Sequence, residues 1–159
     1  MTMRGGMPLH AALVEKDGYG VVFLGPSGMG KSTQAKLWVE HQGADFIIDD
    51  RPGLRRIDGR WIGFGMPWDG KDGIKQQKQA PIRALISLEQ APENNIRRLT
   101  KQEAMTVLLN QVMMPMWDDA AMDLLTPLMG QLATEIPFYH LECLPDEGAA
   151  RLCYETITR

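Results

Sequence analysis

The sequence predicts an α/β or α+β domain built on a mixed sheet, and three observations support this fold class. Apolar segments typical of strands concentrate in the first half of the chain, whereas helical patterns dominate the second half. Two hairpin dipeptides, Asp17-Gly18 and Asp58-Gly59, each separate a pair of strand segments. A glycine-rich segment joins a strand pattern directly to a helix pattern. Hairpins beside a strand–loop–helix unit indicate a mixed sheet rather than a regular alternation of strands and helices.

The elements of the first half follow from their local patterns. Residues 9–14 and 20–24 are predicted to be the strands of the first hairpin. The pattern becomes helical at Lys31, and Gly43 ends that helix. Further strands, including a second hairpin around Asp58-Gly59, are predicted at 46–48, 54–57 and 61–64.

In the second half, strands are predicted at 82–88, 95–99 and 138–143. Thr100 and Glu103 form a capping box that begins a helix, which Pro115 breaks or kinks. Asp118 or Asp119 begins a second helix, and the last helix is predicted over 145–158 with Pro145 in its first turn.

Length and composition indicate one ordinary globular domain. The chain has 159 residues, of which 44% are hydrophobic and 23% charged, and this balance excludes wholesale disorder. We therefore predict a single domain over residues 1–159. The formal net charge of −3 gives no reason to expect a nucleic-acid partner.

Cellular location is predicted from the cysteines and from the apolar runs. Cys143 and Cys153 are too few for a disulfide scaffold or a four-ligand zinc site, which indicates a reducing cytoplasm. No apolar run approaches the length of about 18 residues that a transmembrane helix needs, and the first residues lack the features of a signal peptide. We predict a cytoplasmic protein without a membrane partner, either a monomer or a homo-oligomer.

Residues 25–32 match the phosphate-loop pattern G-x-x-x-x-G-K-[ST] at every fixed position. Glycines allow successive backbone N–H groups to face phosphate oxygens, and the N-terminus of the following helix adds a positive dipole end. The predicted nucleotide contacts are Gly25, Pro26, Ser27, Gly28, Met29, Gly30, Lys31, Ser32 and Thr33.

Three of these residues have predicted side-chain roles. Lys31 supplies a positive charge to the β and γ phosphates, and Ser32 offers its hydroxyl to Mg²⁺. Thr33 is in a position to donate to the α phosphate. The sequence therefore predicts binding of ATP, or of another nucleoside triphosphate, together with Mg²⁺.

Asp49 and Asp50 directly follow the predicted strand 46–48. In phosphate-loop proteins an acid at such a strand end approaches the metal from the side opposite the loop serine. Two neighbouring acids indicate two roles, one toward the metal and one toward the proton of a nucleophile. The alternative is a helix cap or a solvated strand end.

His10 lies on the first predicted strand, where a lone histidine is more often a core or edge residue. The order of His10, the phosphate loop and Asp49-Asp50-Arg51 resembles the catalytic domain of bacterial HPr kinase/phosphorylase. ATP-dependent phosphoenolpyruvate carboxykinase has a similar nucleotide core. The resemblance implies a phosphate-loop core of this type with helices toward the C-terminus.

The resemblance also implies catalytic roles. Asp49 would be the base that takes a proton from an incoming hydroxyl, with His10 beside it and Lys31 on the phosphates. Asp50, together with Ser32, would contact the metal. The two aspartates could exchange roles, because the sequence does not give the direction of their side chains. Arg51 either neutralises the transferring phosphate or pairs with the acids.

The leading functional hypothesis is transfer of a phosphoryl group from ATP to a hydroxyl, in the first place that of serine. The acceptor would be a small protein, a peptide or a metabolite. The alternatives are a nucleotide-binding module without transfer activity and another small phosphate-loop metabolite kinase, which the hairpin before the loop disfavours. The polar segment 65–73, followed by lysines, is either a lid over the site, with Lys71 its best contact, or a solvated charge run.

Overall fold

The computed structural model describes residues 6–9, 11–25, 31–48, 52–65, 79–111 and 119–158. The strands in these ranges are β1 (Gly6–Pro8), β2 (Ala11–Lys16), β3 (Tyr19–Leu24), β4 (Asp45–Ile48), β5 (Pro52–Ile57), β6 (Arg60–Gly65), β7 (Gln79–Gln90), β8 (Asn95–Arg98) and β9 (Phe138–Cys143). The helices are α1 (Lys31–Gln42), α2 (Lys101–Gln111), α3 (Asp119–Glu135) and α4 (Glu147–Ile157). The predicted mixed α/β class is confirmed.

Both predicted hairpins form around their Asp-Gly dipeptides. Asp17 and Gly18 have φ values of +56° and +83°, and the corresponding values at the second turn are +52° and +79°. Positive φ at both central residues defines the type I′ turn, whose twist matches that of the flanking strands. The first turn joins β2 to β3 and the second joins β5 to β6.

The strands form one mixed sheet in the order β1-β5-β6-β7-β3-β2-β4, and β9 pairs with β7 on the side away from β3. The long strand β7 has two partners on that side, because its first residues pair with β6 and its last six pair with β9. β3, β7 and β9 run parallel to one another. Their carboxyl ends therefore lie at one edge of the sheet, where ligands bind in open α/β sheets.

Side chains alternate between the two faces of the sheet, and helices cover both faces. The α1–α4 core lies on one face and includes Ala12, Val14, Val21, Phe23, Ala35, Trp38, Ala84, Ile86, Leu141, Ala149 and Cys153. The α2–α3 core lies on the other face and includes Ala11, Leu13, Val22, Leu24, Leu54, Trp61, Ile82, Leu85, Ala104, Leu108 and Leu132. In β2 and β3, successive side chains enter opposite cores, as expected because neighbouring residues of a strand point to opposite faces of the sheet.

In β7 the alternation changes phase at Arg83. Gly20 is paired with Ile82, but the next residue of β3, Val21, is paired with Ala84. Ile82 therefore enters the α2–α3 core while Ala84 enters the opposite one. The Arg83 side chain extends toward the end of α4, where its Nε donates to the carbonyl of Ile157 at 2.9 Å.

Several element boundaries differ from the prediction, and three elements show the physical reasons. The first hairpin strand begins at Ala11 and continues to Lys16, because pairing with β3 persists to the turn. β7 is longer at both ends than 82–88, since β6 pairs with residues before this range and β9 pairs with residues after it. The last helix begins at Glu147 rather than at Pro145, because the extended residue Asp146 is its N-cap and accepts the backbone N–H of Ala149 at 3.0 Å.

The predicted capping box is confirmed at the start of α2. The backbone N–H of Glu103 donates to Thr100 Oγ1 at 3.2 Å, and the Thr100 N–H donates to Glu103 Oε1 at 2.9 Å. Pro127 lies inside α3. Within the part of the chain that the structure describes, no helix is both long enough and apolar enough to cross a membrane.

Candidate functional site

The phosphate-loop segment begins where β3 ends and finishes where α1 begins. Gly25 directly follows β3, is buried, and has a φ of +152°, a conformation that L side chains rarely adopt. α1 begins at Lys31, as predicted. The strand and the helix that the motif requires are therefore confirmed, while residues 26–30 lie outside the described residues.

The first turn of α1 is suited to binding an anion such as a phosphate group. It carries no acidic residue, whereas the first turns of α2 and α4 carry Glu103 and Glu147. The backbones of Lys31 and Ser32 are helical, and Thr33 is exposed. A helix N-terminus offers free N–H groups and a positive dipole end, and this one has no carboxylate of its own to neutralise it.

The start of β2 and the ends of β3 and β4 lie near the same edge of the sheet. β2 runs antiparallel to both neighbours, so that Ala11 is paired with Leu24 and Leu13 is paired with Ile48. β4 therefore runs in the same direction as β3. Ile48, the residue before the predicted acids, therefore lies near the edge at which β3 ends.

The described residues that flank His10 and the acids are bonded to one another. The backbone N–H of Leu9 donates to the carbonyl of Pro52 at 3.0 Å. Leu9 precedes His10, and Pro52 follows the segment 49–51. His10, Asp49, Asp50 and Arg51 themselves lie outside the described residues, so the distance between the histidine and the acids stays a prediction.

A cavity of about 480 Å³ opens at the edge formed by the carboxyl ends of the parallel strands. β3 ends at Leu24, which is level with Ser87 of β7, whereas β7 continues to Gln90, which is paired with Cys143 of β9. The cavity lies between these projecting strand ends and the first turn of α1. The described residues that line it are Thr33, Gln34, Gln90, Ala91, Cys143, Leu144 and Pro145.

The wall of the cavity after β9 is held by side chains from two other elements. The N–H of Leu144 donates to Asn94 Oδ1 at 2.7 Å, and its carbonyl accepts from Gln34 Nε2 at 3.2 Å. Asn94 Nδ2 in turn donates to Asp146 Oδ1 at 3.1 Å. α1, the segment before β8 and the N-cap of α4 are thereby joined through one short loop.

Gln34 is only 2% exposed. Its Nε2 also lies 3.5 Å from Cys143 Sγ, while its Oε1 is buried with no hydrogen-bond partner among the described residues. Burial raises the pKa of the Cys143 thiol, and the nearby charge of Asp146 raises it further, against a lowering by the Gln34 bond. The thiol is therefore protonated at neutral pH and contributes an apolar surface to the cavity.

The structure describes four of the predicted nucleotide contacts. Gly25 directly follows β3, and Lys31, Ser32 and Thr33 belong to the helical backbone at the start of α1. The remaining predicted loop contacts lie outside the described residues: Pro26, Ser27, Gly28, Met29 and Gly30. The predicted lid residues, Lys71 among them, also lie outside.

Sequence reasoning missed Gln34 and Asn94, which shape the cavity. Gln34 had a detectable signal, because it is a polar residue four positions before Trp38, which faces the core. Asn94 had none, because its partners are 50 or more residues away in the sequence.

Comparison with known proteins identifies the fold. No family model matches the chain, and no curated protein matches it. Among solved structures, the chain is similar to the Hpr(Ser) kinase/phosphatase from Coxiella burnetii, with 18% sequence identity and a TM-score of 0.51. The alignment covers 94% of this chain and 87% of that chain. The chain therefore has an α/β fold similar to that of this HPr kinase structure.

Proposed function

We propose that this chain is an ATP- and Mg²⁺-dependent kinase that transfers a phosphoryl group to a hydroxyl of a small protein, a peptide or a metabolite. The observation that carries the proposal is the pairing of the segments around the predicted site. The start of β2 adjoins the end of β3, and Leu9 is bonded to Pro52. These pairs join described residues next in sequence to His10, to residues 49–51 and to the phosphate loop, and this supports the proposal that the three segments form one site.

The predicted site residues have the following proposed roles in nucleotide binding and phosphoryl transfer. Lys31 and the N–H groups at the start of α1 hold the phosphates, with Ser32 and Asp50 as the metal contacts. Bound Mg²⁺ supplies positive charge to the phosphate oxygens. Asp49 accepts the proton of the acceptor hydroxyl as that oxygen bonds to the γ-phosphorus and ADP leaves. His10 would lie beside this carboxylate and interact with it.

The hairpin before the loop favours this kinase class over small metabolite kinases of the adenylate-kinase type. Those enzymes begin directly with the strand that leads into the phosphate loop. Here β2 precedes that strand and runs antiparallel to it. The fold similarity to an Hpr(Ser) kinase/phosphatase supports the same choice.

Nucleotide-dependent stability and phosphoryl transfer test the proposal. With Mg²⁺-ATP at about 100 times its Kd, the free energy of unfolding should rise by roughly 2.7 kcal/mol. Lys31→Ala should remove most of this rise, whereas Lys36→Ala should keep it, because Lys36 is an exposed lysine on the same helix.

Transfer of labelled γ-phosphate to serine-containing peptides then separates a kinase from a binding module. Stabilisation without transfer to any hydroxyl acceptor would favour the binding module. Failure of every nucleoside triphosphate to raise the melting temperature in the presence of Mg²⁺ would exclude both.

A further inference from the structure

We infer that this chain binds a small oxyanion, either free phosphate or a short carboxylate, in a second cavity at the end of the sheet opposite the phosphate loop. This cavity, which we call the basic cavity, lies between the first hairpin turn, the first half of β7 and the end of α4. The inference is independent of the proposed kinase activity. The described residues that line the basic cavity are Lys16, Asp17, Tyr19, Val21, Trp38, Arg83, Tyr154, Ile157 and Thr158.

The basic cavity is distant from the predicted nucleotide site. Tyr19, which lines the cavity, begins β3, and Leu24, which precedes the phosphate loop, ends it. At a rise of about 3.3 Å per residue, the two ends of β3 are about 16 Å apart. An anion in the basic cavity therefore occupies a site separate from the one predicted around the phosphate loop.

An irregularity in β7 directs Arg83 toward the basic cavity. The pairing of β3 with β7 shifts between Gly20 and Val21, and Arg83 is the extra residue of β7 at this shift. Such β-bulges re-aim a side chain, are rare between parallel strands and are over-represented next to active sites. The Nε of Arg83 donates to the carbonyl of Ile157 at 2.9 Å. This bond offsets the partial negative charge at the end of α4 and uses one of the five N–H groups of the guanidinium.

Two cationic side chains line the basic cavity, and each lies over a tyrosine ring. Lys16 Nζ is 5.6 Å from the centre of the Tyr154 ring. Arg83 Cζ is 5.3 Å from the centre of the Tyr19 ring. Cation–π contacts of this kind favour one placement of two otherwise flexible side chains. An anion in the cavity therefore meets cations that are already held in position, which lowers the entropic cost of binding.

The charges of the lining favour an anion over a cation. Asp17 is the one carboxylate among the described lining residues. It accepts a hydrogen bond from the Tyr154 hydroxyl at 3.0 Å and lies 3.7 Å from Lys16 Nζ. Lys16 and Arg83 together therefore leave one positive charge in excess. The planar guanidinium of Arg83 matches the paired oxygens of a carboxylate or a phosphate group.

The volume of the basic cavity limits the size of the ligand. The cavity measures about 60 Å³, and one water molecule needs roughly 10–15 Å³ of such space. About four to six water-sized groups therefore fit. This is the size of a phosphate ion or of a carboxylate with one or two carbons, and a nucleotide is too large.

Titration with sodium phosphate or sodium acetate tests the inference, with chloride holding the ionic strength constant. The readout is the indole N–H resonance of Trp38 in heteronuclear NMR, because Trp38 lines the basic cavity and Trp38→Phe identifies its resonance. The resonance should shift and saturate. Saturation by phosphate alone or by acetate alone identifies the ligand chemistry, and saturation by both indicates a general oxyanion site. No saturable shift with either anion would overturn the inference.

Arg83→Gln should weaken anion binding by about tenfold or more, the usual effect of removing a charged hydrogen-bond partner. Arg98→Gln is the matched control. The Arg98 guanidinium also lies over a tyrosine, with Cζ 5.8 Å from the centre of the Tyr139 ring, but Arg98 is not among the described residues that line the basic cavity. This control should bind the anion as the parent does. Unchanged affinity in Arg83→Gln would overturn the site.

Lys16→Gln covers the case in which Arg83→Gln does not fold. It removes the other cation of the basic cavity, and its side chain is 24% exposed, so that the change disturbs little packing. Anion affinity should again fall by about tenfold or more. Parental affinity in this variant would contradict a site formed by two cations.

Lys31→Ala separates the basic cavity from the phosphate loop. This variant removes a predicted phosphate contact at the loop, so the saturable shift of Trp38 should persist in it. Loss of the shift would show that the anion binds at the phosphate loop, which would overturn the second site and leave the proposed function standing. Failure of Mg²⁺-ATP to bind, with a saturable Trp38 shift retained, would overturn the proposed function and support the second site.

Discussion

Gln34 illustrates how one side chain can shape a site without belonging to its motif. It lies in α1, yet its amide bonds to the loop after β9, across the edge where the parallel strands end. The first turn of α1 is thereby held beside the cavity. Position along the helix explains this role, because Gln34 is buried like Ala35 and Trp38, which face the α1–α4 core.

Asp49 and Asp50 are expected to differ in function, because two neighbouring acids beside a phosphate loop suit two roles, one toward the metal and one toward the proton of the acceptor hydroxyl. Asp50→Asn should weaken binding of the Mg²⁺-nucleotide. Asp49→Asn should keep binding and slow phosphoryl transfer by about 10²- to 10⁴-fold, the range typical of a lost general base. Binding isotherms and transfer rates for both variants provide the measurement. The opposite result would exchange the two roles, and parental behaviour of both variants would make the pair structural.

Glu103 should give stability that depends on pH. Bonds from Arg97 and from the N–H of Thr100 lower the pKa of its carboxyl from 4.5 to about 2. Since the folded-state pKa is the lower one, the stabilisation is complete above pH 4.5 and is lost as the pH falls toward 2.

Glu103→Gln isolates this charge, because glutamine can also complete a capping box. The variant should unfold at lower urea than the parent at pH 7, and the difference should shrink as the pH is lowered to about 3. A difference that does not change with pH would show that the carboxylate charge is not its source.

Close packing fixes the position of strand β6 against its neighbours. A Cβ at Gly63 would lie 2.6 Å from Ile82 Cδ1, 3.0 Å from Leu13 Cδ2 and 3.3 Å from Leu54 Cδ2. These three side chains all belong to the buried α2–α3 core. The absence of a side chain at Gly63 therefore allows the second hairpin to approach β7 and the first hairpin closely.

Gly63→Ala should destabilise the fold by about 1–3 kcal/mol, as overpacking of a core does. Gly130→Ala is the control, because a Cβ there meets nothing within 4 Å and the residue lies inside α3. It should stabilise the fold by about 0.5–1 kcal/mol. Urea unfolding followed by circular dichroism measures both. If Gly63→Ala is as stable as the parent, the strand has more room than the structure indicates.

At the scale of the whole molecule, one sheet separates two cores that each contain a tryptophan. Trp38 lies in the α1–α4 core, with its ring edge-on to Phe23. Trp61 lies in the α2–α3 core, and its Nε1 donates to Glu135 Oε1 at 2.9 Å. Because the same strands supply both cores, neither core can lose its packing without exposing the sheet that supports the other.

We therefore expect the chain to unfold in one cooperative transition, as a single domain does. Variants that keep only Trp38 or only Trp61, with the other tryptophans changed to Phe, report on one core each. In each variant the fluorescence transition in urea should coincide with the transition in far-ultraviolet circular dichroism. Separate transitions for the two probes would contradict the single domain predicted over residues 1–159.

Local features decided much of what could be predicted from the sequence. Asp-Gly dipeptides set both hairpin turns, since few residue pairs adopt positive φ at both central positions. Thr100 and Glu103 marked the start of α2, because a capping box needs only residues three positions apart. The strand before the phosphate loop and the helix after it were likewise predictable, because the motif is contiguous.

Tertiary structure decided the features that join distant segments. The change of phase in β7 at Arg83 arises from its pairing with β3, and no local pattern marks it. The cavity exists because β7 and β9 project beyond β3 and because Gln34 and Asn94 hold the loop after β9. The sequence by itself thus determined the turns, the caps and the phosphate-loop motif, which depend on neighbouring residues. The placement of a cavity beside that motif required the register of three parallel strands, which depends on contacts across the whole chain.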